Sequence, residues 1–164
     1  MIEENLLLIL VGLPFAAAIA ASTVSTRAHG AAAWSSGLLL FAGLVILGLL
    51  YGPISDGEIL RGSLRWVPSL GLTLAFRMDG LVWLFTTLVF AIGILVLIYA
   101  RYYLSKSDPV PRFYAFLMAF TGAMVGMLLS GNILMLVVFW ELTSILSFLL
   151  IGYWHQNQAA RDGA

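Results

Sequence analysis

The chain has 164 residues, of which 62% are hydrophobic and 10% charged, with zero net charge and no cysteine. A water-soluble domain carries about a quarter charged residues, so this much apolar surface excludes one. Zero net charge offers no footing for nucleic acid, and the missing cysteines exclude disulfides and thiol chemistry. The charges are also gathered between long uncharged stretches. None falls between Glu4 and Arg27, only His29 lies between Arg27 and Asp56, and residues 80–100 are uncharged. Between Arg112 and Arg161 the single charged residue is Glu141. Each gap reaches the roughly 20 residues that a helix needs to cross hydrocarbon.

The expected fold is an all-α membrane protein, a single membrane domain over residues 1–164 with helices near 6–24, 31–51, 81–103, 113–130 and 133–153. The spans must be helical because lipid offers the backbone no hydrogen-bond partner. In the first span, Ala16, Ala18 and Ala20 resemble a signal-peptide cleavage site. A signal opens on basic residues, however, and this chain opens on Glu3 and Glu4, so the span reads as a retained helix, with Pro14 placed to kink it. His29 stands at the edge of the second span. Residues 52–80 form the one long connection, in which Ser63-Leu64-Arg65-Trp66-Val67 and Leu72-Thr73-Leu74-Ala75-Phe76-Arg77 alternate around Pro68-Ser69-Leu70-Gly71. That pattern predicts a small β-hairpin at the membrane surface.

The fourth span carries Ala119, Gly122, Ala123 and Gly126, small residues that let another helix approach closely, so Gly122 and Gly126 read as packing positions. Only Gly131 and Asn132 separate it from the fifth span, which makes the two antiparallel neighbours. Met118, Met124, Met127 and Met135 read as lipid-facing or gap-filling. Trp34, Tyr51, Trp83, Tyr102, Tyr103, Tyr114, Tyr153 and Trp154 lie near span ends and read as interfacial anchors. His155 begins a polar tail.

Five spans place Arg27, Arg101, Lys106, Arg112 and Arg161 on one side of the membrane and Arg61, Arg65 and Arg77 on the other. The excess of basic residues marks the first side as cytoplasmic and puts the N-terminus outside.

The chemistry concentrates on Glu141. It is the ninth residue of the fifth span, which at 1.5 Å per residue puts it roughly 12 Å in, near the bilayer midplane. A charged carboxylate there costs on the order of 2.5–3.5 kcal/mol, so it needs a reason to be present. One reason is proton uptake and release, with Thr143, Ser144 and Ser147 as a supporting polar seam. The other is hydrogen-bonded glue between helices, the hydroxyls merely satisfying their own helix's carbonyls. No metal-ligand spacing, nucleophile triad or phosphate-binding glycine loop is present, so neither metal nor cofactor is expected, and an enzyme active site would lack parts.

The stretch Phe139-Trp140-Glu141-Leu142-Thr143-Ser144-Ile145-Leu146-Ser147, together with Trp66-Val67-Pro68-Ser69-Leu70-Gly71 and Tyr99-Ala100-Arg101-Tyr102-Tyr103, resembles the antiporter-like membrane subunits of Mrp-type monovalent cation/proton antiporters and respiratory complex I. The Trp-Glu-Leu-Thr-Ser form is most similar to the A-type subunit of Mrp antiporters, over its N-terminal part. The resemblance implies a fold of about fourteen helices, of which this chain holds the first five. It implies that Glu141 is a proton carrier in sodium/proton exchange across the cell membrane, paired with lysines on later helices. The only lysine here is Lys106, in a connection, so those partners and the other complex subunits lie outside these residues. Two alternatives remain beside it. One is a component of the membrane arm of a proton-pumping NADH:quinone oxidoreductase, and the other is a purely structural assembly subunit.

Overall fold

The computed structural model describes residues 2–23, 29–67, 72–104 and 110–154. Arg27, Lys106, His155, Arg161 and the expected turn at 68–71 lie outside them. The elements run α1 (Ile2–Thr23), α2 (His29–Leu49), α3 (Tyr51–Ser55), β1 (Leu60–Val67), β2 (Leu72–Met78), α4 (Gly80–Tyr103), α5 (Val110–Leu128) and α6 (Ile133–Ile151), with a 3₁₀ turn over Gly152–Trp154. Five of the helices, α1, α2, α4, α5 and α6, are long and apolar enough to cross a membrane.

Their limits depart from expectation where turn chemistry intervenes. Apolar length carries the second span to residue 51, but α2 stops at Leu49 and the short α3 follows. Pro53 sits in the first turn of α3, where its missing N–H is not needed. Gly57 then turns the chain with φ of 84°, a conformation that glycine adopts without strain. At the fourth span the helix starts earlier than expected, at Val110, because Pro111 falls in its first turn and fits there for the same reason. Asp79 opens α4, its side chain accepting from the Val82 amide at 3.0 Å while Arg77 pairs with it at 3.2 Å.

The core gathers on α5, against which α1, α2, α4 and α6 all pack. Tyr114, Met118 and Val125 of α5 are fully buried, as are Leu7, Leu10 and Ala17 of α1, Leu40 of α2 and Phe90 of α4. Small residues set the approach: a Cβ on Gly122 would lie 2.9 Å from the Phe15 ring of α1, and one on Gly126 would strike the Phe139 ring of α6. Helices in lipid associate by packing of this kind, since no water is displaced between them.

Strands β1 and β2 pair antiparallel from Leu60↔Met78 to Arg65↔Thr73, with an irregularity between Arg65 and Val67. Leu60, Gly62, Phe76 and Met78 turn toward the bundle, whereas Arg61 and Arg77 face outward. The hairpin also holds the turn between α5 and α6. The Arg77 amide donates to the Leu129 carbonyl at 2.8 Å, and the Gly131 amide donates to the Ala75 carbonyl at 2.7 Å. Phe76 and Ser130 form an antiparallel bridge between those two bonds. A Cβ on Gly131 would sit 2.9 Å from the Ala75 oxygen, so the close approach requires glycine.

Several aromatic residues that read as interfacial anchors face inward instead. Tyr114 and Tyr153 are buried, and Phe113 meets the Tyr153 ring edge-on at 5.4 Å. Trp83 donates its indole N–H to the Leu47 carbonyl at 2.8 Å, a partner inside the bundle that a lipid-facing ring would lack. Trp34 and Tyr102 do lie on the outside, 71% and 83% exposed. Met118 and Met135 fill gaps in the core rather than facing lipid, and Met124 and Met127 are half-buried.

Candidate functional site

The junction with the hairpin positions α6. Asn132 caps it, its side-chain oxygen accepting from the Met135 amide at 2.8 Å while its amide nitrogen donates to the Thr73 carbonyl of β2 at 3.0 Å. From that cap the helix presents Met135, Phe139, Leu142 and Leu146 in one stripe toward α5, and Met135 and Leu146 are its buried residues. Glu141 falls about 130° around the helix from the middle of that stripe at 100° per residue. It is exposed, and no hydrogen bond or ion pair joins it to another described residue.

The three hydroxyls expected beside it divide. Ser144 shares its exposed face, but its Oγ donates back to the Trp140 carbonyl at 3.3 Å. Thr143 and Ser147 are half-buried and turn aside, donating to the carbonyls of Trp140 at 2.6 Å and Ser144 at 2.8 Å. These five helices therefore bring one hydroxyl to the side of Glu141 and satisfy all three within α6. Gly122 and Gly126 lie on the opposite side of the α5–α6 contact, beneath Phe15 and Phe139.

Polar side chains that sequence reading passes over lie inside the bundle. Ser36, Thr86 and Thr121 are buried, and Thr121 donates to the Leu117 carbonyl. The hydroxyls of Ser36, Thr86 and Tyr114 have no partner among the described residues. Helical register could have found Thr86, which precedes the fully buried Phe90 by one turn. No cluster of three or more His, Asp or Glu residues able to hold a metal occurs among the described residues.

Residues 66–114 match the family "NADH-Ubiquinone oxidoreductase (complex I), chain 5 N-terminus". A relative in Rhizobium meliloti, the A/B subunit of a probable K(+)/H(+) antiporter, is 49% identical over 161 residues, 98% of this chain and 16% of the relative. The A1 subunit of a Na(+)/H(+) antiporter of Staphylococcus aureus is 45% identical over 109 residues, 66% of this chain and 14% of that one. Among solved structures, the Mrp complex from Dietzia sp. DQ12-45-1b contains a chain that matches with a TM-score of 0.69 and 26% identity, over 92% of this chain and 16% of its own length. An archaeal membrane-bound sulfane sulfur reductase shares the fold alone, with a TM-score of 0.70 at 19% identity over 87% of this chain and 22% of that one.

Five crossing helices with a surface hairpin make the chain a multi-pass membrane protein, and the matches show that it is similar to the antiporter-like membrane subunits. Among those subunits it is similar to A-type subunits of cation/proton antiporters and to a chain of the Mrp complex. It spans about a sixth of the length of the curated relatives it matches.

Proposed function

We propose that the chain is the N-terminal part of one component of a multi-subunit monovalent cation/proton antiporter, in which Glu141 takes up and releases the transported proton. The observation that carries the reading is a carboxylate halfway along an apolar helix, on the face that the other four spans leave uncovered. Left against lipid, that carboxylate would cost on the order of 2.5–3.5 kcal/mol. It calls for a polar or hydrated neighbour, which later helices of the same polypeptide supply. A lysine ammonium brought within a few ångströms favours the charged carboxylate and expels its proton, and withdrawing the ammonium favours uptake. Cation movement that displaces the ammonium is thereby coupled to proton movement in the opposite direction.

The exchanged cation is sodium in the reading from sequence, whereas the names of the relatives divide between K(+) and Na(+). The protein sits in the cell membrane with its N-terminus outside, as the distribution of basic residues favours, and works as a transporter without cofactor. The test uses membrane vesicles carrying the complete complex, energised to a pH gradient and challenged with sodium or potassium. Glu141→Gln is expected to abolish the cation-induced collapse of the gradient while the subunits remain assembled. Collapse at the normal rate would remove Glu141 from the proton path.

A place in the membrane arm of a quinone reductase is the second reading, favoured by the complex I match over residues 66–114. Copurification with iron–sulfur subunits would establish it, and copurification with small antiporter subunits would exclude it. In a purely structural role, Glu141→Gln would leave transport intact, whereas bulky replacements of Gly122 or Gly126 would block assembly.

A further inference from the structure

Two cavities meet at the end of the bundle opposite the hairpin. One, about 450 Å³, has a mixed lining and is walled by Gly30 in the first turn of α2, Arg101 in the last turn of α4 and Tyr114 near the start of α5. Tyr114 is fully buried, and its hydroxyl has no partner among the described residues. The other is an apolar groove of about 490 Å³ between α2 and α4, lined by Gly37, Leu38, Phe41, Ile94 and Leu97.

Arg101 and Tyr102 border both cavities. The Arg101 guanidinium lies 5.7 Å from the centre of the Trp34 ring, and its Nη1 passes 3.3 Å from where a Cβ on Gly30 would be. No carboxylate neutralises it among the described residues. The leading amides of α2, which have no acceptor within their own helix, add a favourable dipole for an anion at the same place.

We propose that the joined cavities bind one anionic phospholipid, its phosphate held by Arg101 and the Tyr114 hydroxyl and one acyl chain laid in the α2–α4 groove. A cation and an unused donor at the mouth of an apolar slot, at the end of membrane-spanning helices, match a molecule with a charged head and a hydrocarbon tail. A free phosphate would leave the groove unused. Beside Ala33 and Gly37 the wall carries Leu38, Phe41 and Ile94, whose bulk leaves an irregular slot suited to a flexible acyl chain. The site is separate from Glu141 and stands whether or not Glu141 carries protons.

The test is native mass spectrometry of the full-length protein, purified with its partner subunits, delipidated and titrated with dioleoyl-phosphatidylglycerol or dioleoyl-phosphatidylcholine. One phosphatidylglycerol per copy is expected to be retained in preference to phosphatidylcholine. Arg101→Gln should weaken that retention about tenfold, the effect of losing one charge-assisted hydrogen bond. Arg101→Lys should restore most of it, and Tyr114→Phe should weaken it by a few-fold. Gly37→Leu, which fills the groove and leaves the charge, should also reduce it. Equal retention of the two lipids or unchanged binding in Arg101→Gln would overturn the proposal. So would displacement by inorganic phosphate as effective as by phosphatidylglycerol, or capture of a protein rather than lipid by a photo-crosslinker at Leu38.

Discussion

Helices α5 and α6 are each 19 residues long, antiparallel and joined by four residues, yet they occupy opposite situations. More than half of α5 is buried, 56% of its most apolar stretch, against 11% for α6. The more apolar of the two is the one on the outside. In water that order would be reversed. In lipid there is no gain from hiding leucine, so the interior goes to residues that let backbones approach, here Thr121, Gly122, Ala123 and Gly126. Within the uniform apolarity of α6, Glu141 alone marks the exposed face with a charge.

The contrast can be broken at its strongest point by Met118→Ala, which empties a fully buried position on α5. Burial here replaces lipid rather than water, so the lower end of the range for such changes applies, a loss of about 2 kcal/mol. It should appear as a lowered unfolding midpoint in detergent. Gly126→Leu drives a side chain into Phe139 and should cost about 1–3 kcal/mol, read as reduced protein in the membrane fraction, with Gly126→Ala intermediate. Asn132→Ala removes the cap of α6 and its tie to Thr73, for about 1 kcal/mol by the same midpoint. The smallest effect sharpens the comparison most. Ile145→Ala on the uncovered face of α6 should shift the midpoint of this 164-residue chain by less than about 0.5 kcal/mol, and that of the complete polypeptide by more. Equal shifts in the two would mean that nothing covers that face.

The five crossing segments and the hairpin are legible in the sequence because each rests on a local rule: uncharged length for the helices, alternation and turn residues for the strands. Helix limits escape those rules where proline sits inside a first turn, at Pro53 and Pro111, since proline marks an ending only when it falls further along. The inward aromatic residues escape them for a different reason. Distance along a span predicts how deep Tyr114, Tyr153 and Trp83 sit, but not which way they point, and direction is decided by partners on other helices. Glu141 is legible as an unusual residue at mid-helix, while its surroundings are not, because the groups that would neutralise it lie on none of the described elements. Thr143, Ser144 and Ser147 fall within about 100° of one another around α6, but each hydroxyl donates to a carbonyl of its own helix, and spacing in sequence does not disclose that.

The backbone bonds at Gly131 and Arg77 act as a datum for everything beyond them. A helix held only by apolar packing can slide by a turn, about 5.4 Å, at little cost, because one leucine replaces another along its axis. Here the start of α6 is pinned to a strand lying outside the hydrocarbon, and each residue beyond the pin adds a fixed rise. The level of Glu141 is in that sense written into the hairpin. A one-residue slip in the β1–β2 register would turn the anchoring residues to the wrong face and release the gauge, with Glu141 itself unchanged.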